Sequence, residues 1–138
     1  GVVVDRNERV YVMDRSNSRI QIFTDDGEFI EEWPNIFDPV DIYIDEDQWV
    51  WVLDASLNRL LKYSREGVLQ YHWGTYGQAG AIGRGTWVGG LSLPHQLDMD
   101  EKGNIYIASY SGGWVDKFVP KMDADPSKLI GRPLLLMD

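Results

Sequence analysis

Histidine is the residue type in this sequence best suited to hold a catalytic metal, and it occurs only as His72 and His95. Neutral imidazole is a preferred zinc ligand, but a catalytic zinc site needs three protein ligands and one open position. No cysteine is present to supply a thiolate ligand or a disulfide. His72 lies between Tyr71 and Trp73 in a predicted outer strand, which favours surface packing. The histidines alone therefore do not define a zinc site.

A long glycine-rich segment, Gly74 to Gly90, carries a second set of candidate ligand contacts, namely Tyr76, Arg84 and Trp87. Long loops often carry ligand contacts, and aromatic rings on a glycine frame suit stacking against a peptide or a sugar. The alternative is that this segment only links two structural units. It does not predict a phosphate-binding loop, because no Gly-Lys-Ser or Gly-Lys-Thr follows the glycines.

The elements around these residues repeat along the chain. Each unit has a short apolar run ending in an acidic residue, a polar turn and a longer apolar run. The longer runs are Val10 to Asp14, Val50 to Asp54 and Ile105 to Ser109. A spacing of roughly 40 to 45 residues between units of several short strands is typical of β-propeller blades.

The residue pattern predicts an all-β fold, because β-branched and aromatic residues dominate the runs and no helical period is sustained. We predict a β-propeller fragment of about three four-stranded antiparallel blades, in units of about 1–35, 36–90 and 91–138. The first strands, near Val2, Ile42 and Leu97, are expected closest to the central axis. The last strand of the third blade is not placed by the pattern. The second strands are apolar at nearly every position, so we expect burial of the following residues: Val10, Val12, Val50, Val52, Ile105 and Ile107.

Three blades are too few to close a ring, since propellers generally close with four to eight blades. Open blade faces would expose apolar patches that proteins normally cover. One expectation is that the chain is the C-terminal part of a longer propeller. Another is that two copies associate as a homodimer that completes six blades, with an open crescent as the alternative.

Composition argues against two classes of partner. The net charge of −9 and the pI near 4.6 disfavour nucleic acid, whose binding depends on Lys and Arg. The sequence contains no apolar run long enough to span a membrane and no basic amphipathic stretch to lie on one. We therefore expect a soluble chain with no nucleic-acid or membrane partner.

Charged residues recur at fixed positions of the repeat. Asp14 and Asp54 end the second strands, where a carboxylate commonly stabilises the following turn. Arg19 and Arg59 recur soon after them, which favours a structural pairing in each blade.

Arg15 is the charged residue that the repeat does not explain. Ala55 and Tyr110 take its place in the other two units, so a scaffold role common to all blades does not account for it. Arg15 is therefore a functional candidate, and the alternative is a solvated surface arginine.

Two strings of residues resemble a known family. The string from Val12 to Phe23 resembles the core of an NHL repeat, and so does the stretch from Leu93-Pro94-His95 through Lys117-Phe118-Val119-Pro120. More narrowly, three pieces are similar to bacterial relatives of peptidyl-α-hydroxyglycine α-amidating lyase: Asp14-Arg15-x-Asn17-x-Arg19-Ile20-Gln21, the start Leu93-Pro94-His95, and the tail from Lys117 to Gly131. The resemblance covers three repeats and implies a six-bladed propeller. The resemblance to the lyases also implies a zinc ion, held by three histidines near the central channel, and a structural calcium ion.

The resemblance implies roles for individual residues. His95 corresponds to the last zinc histidine, and Arg15 to an active-site arginine whose guanidinium would pair with a substrate carboxylate. Two residues depart from the lyase pattern. Gln96 replaces an acidic residue that contributes to calcium binding, and Leu93 replaces a methionine.

Two functions therefore compete. The repeat alone predicts a binding or scaffold module for a peptide or protein ligand, because a fold does not by itself specify chemistry. The resemblance implies a zinc-dependent lyase that cleaves peptidyl-α-hydroxyglycine into a peptide amide and glyoxylate. Since the lyase needs more zinc histidines than His95, we expect no lyase activity from this chain as given.

Overall fold

Three antiparallel sheets follow one another in a computed structural model, which describes residues 1–74, 90–91, 93–110, 113 and 115–120. Sheet A contains β1 (Val2–Val4), β2 (Val10–Asp14), β3 (Arg19–Phe23) and β4 (Phe29–Pro34). Sheet B contains β5 (Pro39–Ile44), β6 (Val50–Asp54), β7 (Arg59–Tyr63) and β8 (Leu69–Gly74). Sheet C contains β9 (Pro94–Met99), β10 (Ile105–Ser109) and β11 (Val115–Phe118).

Within each sheet the strands lie in sequence order, as in propeller blades. One turn of 3₁₀ helix, Arg15–Asn17, separates β2 from β3. The predicted all-β architecture is confirmed, with three strands of sheet C lying in the described part of the chain. No helix among the described residues has the length and apolar character needed to cross a bilayer.

An aspartate after each first strand fixes the next turn and ties it to the second strand. Its carboxylate accepts backbone N–H groups of the turn, as Asp45 does from Trp49 at 2.8 Å. It also accepts a hydrogen bond from an aromatic side chain in the second strand. These pairs are Asp5 with Tyr11 at 3.2 Å, Asp45 with Trp51 at 2.8 Å and Asp100 with Tyr106 at 3.0 Å. The hydrogen bonds give the three blades the same internal register.

Sheet B lies between the other two sheets, and all positions of its strand β6 are buried. One apolar layer joins sheets A and B: Tyr11, Met13, Ile20, Ile22, Trp33, Ile36, Ile42, Val50, Val52, Leu61 and Tyr63. A second layer joins sheets B and C: Trp51, Leu53, Leu60, Tyr71, Trp73, Leu91, Leu97, Ile105 and Ile107. Both faces of sheet B therefore stabilise the stack through apolar burial.

The burial predicted for the second strands is correct for sheets B and C and wrong for sheet A. Four of the predicted residues are fully buried: Val50, Val52, Ile105 and Ile107. Val10 and Val12 are only half-buried. They lie on the face of sheet A that points away from sheet B, and no other sheet of the described residues covers that face.

First strands of neighbouring blades contact each other, as expected around a propeller axis. Between β5 and β9, the Leu97 N–H donates to Asp41 Oδ2 at 2.8 Å, and the Tyr43 hydroxyl donates to the Met99 carbonyl at 3.3 Å. The starts of the first strands and the ends of the second strands consequently lie on the same side of the molecule in all three sheets.

Candidate functional site

A cleft of about 270 Å³ opens on this side, where the first strands start and the second strands end. Sheet A contributes Arg15, sheet B contributes Asp38, Val40 and Ala55, and sheet C contributes Leu93, Pro94, His95 and Tyr110. Two of the predicted site residues, Arg15 and His95, lie in it. They come from different blades, so the cleft is a product of tertiary packing.

The same backbone bond shapes the cleft in two blades. The Ala55 N–H donates to the Asp38 carbonyl at 3.0 Å, and the Tyr110 N–H donates to the Leu93 carbonyl at 2.9 Å. Each bond joins the end of a second strand to the loop that begins the first strand of its own sheet. Asp38 and Leu93 are therefore equivalent positions, as are Ala55 and Tyr110.

Buried polar side chains hold the loops that enter the cleft. The carboxylate of Asp54 is fully buried and accepts the backbone N–H groups of Phe37 and Asp38, both at 3.1 Å. Asn58 is buried and accepts the Leu93 N–H at 2.8 Å. The strand ends of sheet B thus position the residues that line the cleft in two sheets.

Leu93 enters the cleft with an unusual backbone. Its φ of 44° lies in the left-handed region, which is uncommon for residues other than glycine, asparagine and aspartate. Such strain costs of order 1 to 3 kcal/mol and persists where surrounding contacts over-determine it. The two hydrogen bonds to Asn58 and Tyr110 supply these contacts.

Arg15 forms a double hydrogen bond with Asp38. Its Nε donates to Oδ1 at 2.6 Å and its Nη2 donates to Oδ2 at 3.1 Å. This bond raises the pKa of Arg15 above its ordinary value, so the guanidinium stays charged. The Arg15 side chain is 51% exposed, and its Nη1 donates to no group among the described residues. The pair therefore presents hydrogen-bond donors and a carboxylate acceptor side by side.

An aromatic surface lies in the same cleft. The rings of His95 and Tyr110 have centroids 5.6 Å apart and an interplanar angle of 31°. Both side chains are exposed, and Tyr110 is 76% exposed. Buried Pro94 and Ala55 provide apolar lining. The cleft thus combines a polar pair, two exposed rings and apolar walls.

The described residues do not supply a complete set of ligands for a metal ion. In the part of the chain that the structure describes, no group of three His, Cys, Asp or Glu side chains could hold an ion. His72 lies exposed in β8, in agreement with its predicted surface position. The other predicted ligand contacts, Tyr76, Arg84 and Trp87, lie outside the described residues.

The sequence reasoning missed Asp38 and Tyr110 as members of the site. The alignment of the repeats could have identified them, because Asp38 has the same repeat position as Leu93 and Tyr110 has the same repeat position as Arg15. The predicted structural pairing is confirmed in sheets A and B: Arg19 pairs with Asp14 and Arg59 pairs with Asp54, both at 2.9 Å.

Comparison with solved structures agrees with the propeller architecture. Virginiamycin B lyase from Staphylococcus aureus matches 90% of this chain and 42% of its own chain, with a TM-score of 0.60 and 16% identity. A protein of unknown function from Bacteroides caccae matches 80% of this chain and 38% of its own, with a TM-score of 0.65 and 14% identity. At these identities the likeness concerns the fold alone, and it defines the chain as a β-propeller protein.

Sequence comparison specifies the kind of repeat. The family model of the NHL repeat matches residues 1–23. NHL repeat-containing protein 3 of Homo sapiens is 33% identical over 132 residues, which cover 91% of this chain and 36% of that protein. The Mus musculus protein of the same name is 29% identical, with the same coverage. The chain thus spans about a third of the length of these relatives, and the matches support its place among NHL-repeat propellers.

Proposed function

We propose that this chain is a ligand-binding part of an NHL propeller and that the cleft at the end of its three sheets is the binding site. The single observation that supports this proposal is the convergence of Arg15 and His95, from sheets A and C, on one cleft. Residues on loops that a rigid β scaffold positions are the usual carriers of binding function.

The chemistry of the cleft favours a peptide ligand. Because Asp38 offsets much of the charge of Arg15, the pair suits a ligand that supplies both an acceptor and a donor. A peptide backbone does so, since its carbonyl can accept from Arg15 and its N–H can donate to Asp38. The rings of His95 and Tyr110 offer a stacking surface for an aromatic or apolar side chain.

The size of the cleft limits the part of the ligand that it encloses. Its volume of about 270 Å³ lies just below the range of about 300–1,000 Å³ usual for small-molecule sites. We therefore propose that it binds a segment of a few residues rather than a folded domain surface.

Calorimetric titration with a panel of short peptides tests the proposal. In Arg15→Gln, loss of a charge-assisted hydrogen bond of about 1.5 to 3 kcal/mol should weaken binding roughly 10- to 100-fold. The matched control is Arg6→Gln, because Arg6 is also exposed but lies in the turn between β1 and β2, at the other end of sheet A. Equal affinity of the two variants, or no binding by any peptide of the panel, would refute this function.

A second candidate function is a part of a zinc-dependent lyase for peptidyl-α-hydroxyglycine. It is favoured by one observation, the presence of His95 in the same cleft as Arg15. The described residues by themselves do not fit a zinc ion, since they contain no group of three ligands. We therefore derive no step through the metal, and the residue role that stays in the proposal is the holding of a substrate carboxylate by Arg15.

Metal analysis and a glyoxylate assay on the purified chain separate the two functions. The binding function predicts neither bound zinc nor turnover. Stoichiometric zinc that is lost in His95→Ala and kept in His72→Ala would favour the lyase, because His72 lies away from the cleft in β8.

A further inference from the structure

Three equivalent positions of the repeat line the cleft with very different side chains. They are Arg15 in sheet A, Ala55 in sheet B and Tyr110 in sheet C, and each directly follows the second strand of its sheet. Arg15 and Tyr110 carry long, exposed side chains, whereas Ala55 carries a methyl group and is buried. The middle sheet of the three therefore has the smallest side chain at this position.

The backbone does not require a small residue at position 55. The carbonyls of Arg15 and Ala55 each accept the N–H of the residue three positions later, at 3.1 and 3.2 Å. Those residues, Ser18 and Asn58, both have a left-handed φ, of 55° and 50°. The Ala55 N–H also makes the same bond to its own sheet as the Tyr110 N–H does in sheet C. Because the local backbone matches that at arginine and at tyrosine, it accepts side chains of their size.

The methyl group of Ala55 leaves open a space that a longer side chain would fill. Sheet B lies between sheets A and C, so Ala55 lies between Arg15 and Tyr110 along the cleft. Val40 and the buried Pro94 line the cleft together with Ala55. We name this apolar part of the cleft, which consists of Val40, Ala55 and Pro94, the Ala55 subsite.

Both sides of the Ala55 subsite suit an aromatic ring. On the side of sheet A, the double hydrogen bond to Asp38 holds the planar guanidinium of Arg15, and such a group stacks on aromatic faces. On the side of sheet C, the exposed rings of His95 and Tyr110 lie next to each other, and a further ring can pair with them edge to face or offset. A ring in the subsite can therefore contact a guanidinium on one side and a second ring on the other.

The charges around the Ala55 subsite do not favour a charged side chain. Asp38 already offsets the charge of Arg15 through two hydrogen bonds, so a charged group that enters would meet an ion pair that is already formed. It would also lose hydration against Val40 and Pro94, and the burial of a charge without a partner is unfavourable. An uncharged ring avoids both effects.

We propose that Ala55 is the specificity-determining residue of the cleft, and that the Ala55 subsite takes one aromatic side chain of a bound peptide. The assignment rests on the proposed peptide-binding function and adds the class of side chain that the peptide must carry. Arg15 can serve both parts of the ligand, because its guanidinium donates hydrogen bonds within its plane and stacks on a ring through its face. A larger residue at position 55 would fill the subsite and leave the contacts of the peptide backbone in place.

Blocked tripeptides test this assignment, because their ends carry no charge. The probes are acetyl-Gly-X-Gly-amides in which X is phenylalanine, leucine or alanine, and the amide chemical shifts of the chain report binding during titration. Burial of the ring should make the phenylalanine peptide bind roughly 10- to 100-fold more tightly than the alanine peptide. The leucine peptide should bind less tightly than the phenylalanine peptide, because leucine has no ring to pair with Arg15 and Tyr110.

Ala55→Leu fills the subsite and is the main test variant. The phenylalanine peptide should lose at least roughly 10-fold in affinity, whereas the alanine peptide should change little because it has no side chain to place there. General damage to the structure would instead weaken all three peptides alike. Ser56→Leu is the matched control, since Ser56 is the next residue, is exposed and does not line the cleft. It should bind the three peptides as the wild-type chain does.

Tyr110→Ala gives a second measurement that does not depend on the folding of Ala55→Leu. Tyr110 is 76% exposed, so its replacement should leave the fold unchanged by circular dichroism. Loss of an aromatic pair should weaken the phenylalanine peptide roughly 2- to 10-fold and the leucine peptide less. Equal weakening of these two peptides would contradict a ring that pairs with Tyr110.

The outcomes separate this assignment from the binding function itself. If none of the peptides shifts the signals of the cleft residues, the binding function is wrong and the assignment of Ala55 is wrong with it. If the peptides bind with equal affinity, or if Ala55→Leu weakens all three equally, the cleft binds the peptide backbone and only the role of Ala55 is wrong. A leucine peptide that binds as tightly as the phenylalanine peptide would overturn the assignment of the subsite to aromatic side chains.

Discussion

Asp54 connects the core of sheet B to the cleft, and its replacement by alanine tests how the cleft is held. The carboxylate accepts the N–H groups of Phe37 and Asp38 at 3.1 Å and binds Arg59 through Nε and Nη2 at 3.0 and 2.9 Å. No part of Asp54 is exposed. In Asp54→Ala the two backbone N–H groups lose their acceptor, and Arg59 loses its ion pair.

The expected loss of stability follows from these contacts. A hydrogen bond to a charged group contributes about 1.5 to 3 kcal/mol, so the loss of the two part-buried bonds costs up to about 3 to 6 kcal/mol. The Arg59 side chain is 24% exposed and also donates to the Asn35 carbonyl, so its loss of a partner adds little. The total is a large share of the 5 to 15 kcal/mol that typically stabilises a domain.

Asp14→Ala is the matched control, because Asp14 occupies the same repeat position in sheet A. Its side chain is 21% exposed and binds the side chains of Asn17 and Arg19. We expect a much smaller loss than in Asp54→Ala, as for other surface ion pairs.

Urea unfolding, followed by far-ultraviolet circular dichroism at one fixed protein concentration, measures both free energies of unfolding. Equal losses in Asp54→Ala and Asp14→Ala, or a loss below about 1 kcal/mol in Asp54→Ala, would refute the reasoning from the hydrogen bonds of the buried Asp54 carboxylate.

Two further substitutions test the packing and the turns. Gly74→Ala should destabilise the chain by more than about 2 kcal/mol, because the new Cβ would lie 2.2 Å from the Asn58 carbonyl oxygen and the backbone φ of 121° is unfavourable for alanine. Gly27→Ala is the control, since a Cβ there would meet nothing within 4 Å and would add only backbone strain. Thermal unfolding compares these two variants, and similar melting temperatures would contradict the predicted close contact. The hydrogen bond from the Asn104 side chain lowers the pKa of Asp100 from 3.8 to about 2, so Asp100 stabilises the fold above pH 4 and loses this effect as the pH falls toward 2. In Asp100→Asn the acid-dependent loss of stability between these pH values should be smaller, and an unchanged acid titration of the free energy of unfolding would contradict this role.

The fold was predictable because the residues that define each strand and turn lie close together in the sequence. Apolar runs, turn residues and a repeat of roughly 40 residues define the strands one blade at a time, and the register follows from aspartates such as Asp45 that tie each turn to the next strand. Burial was less predictable, because it depends on the neighbouring blade. Val10 and Val50 have equivalent positions and the same side chain, yet only Val50 lies between two sheets.

The site was predictable only in part, for the same physical reason. Arg15 was selected because it breaks the repeat, and His95 because of a resemblance, but neither observation brings them together. The ion pair of Arg15 with Asp38 joins two blades, and no local pattern encodes such a contact. Tyr110 was recognised only as a residue that replaces Arg15, although equivalent positions in successive blades reach the same end of the stack.

Ala55 and Tyr110 occupy equivalent positions at which the backbone is the same and the side chains differ. Ala55 and Tyr110 make the same backbone hydrogen bond, at 3.0 and 2.9 Å, yet one side chain is a buried methyl group and the other an exposed ring. Packing does not require that difference, because the backbone geometry is satisfied by either residue. At the blade faces side chains of similar type recur at most positions, as with Ile20 and Leu60, although Lys62 stands where sheet A has Ile22. A repeat that keeps most of its interface residues alike and lets the residues at one end differ can change the chemistry of that end without changing its fold.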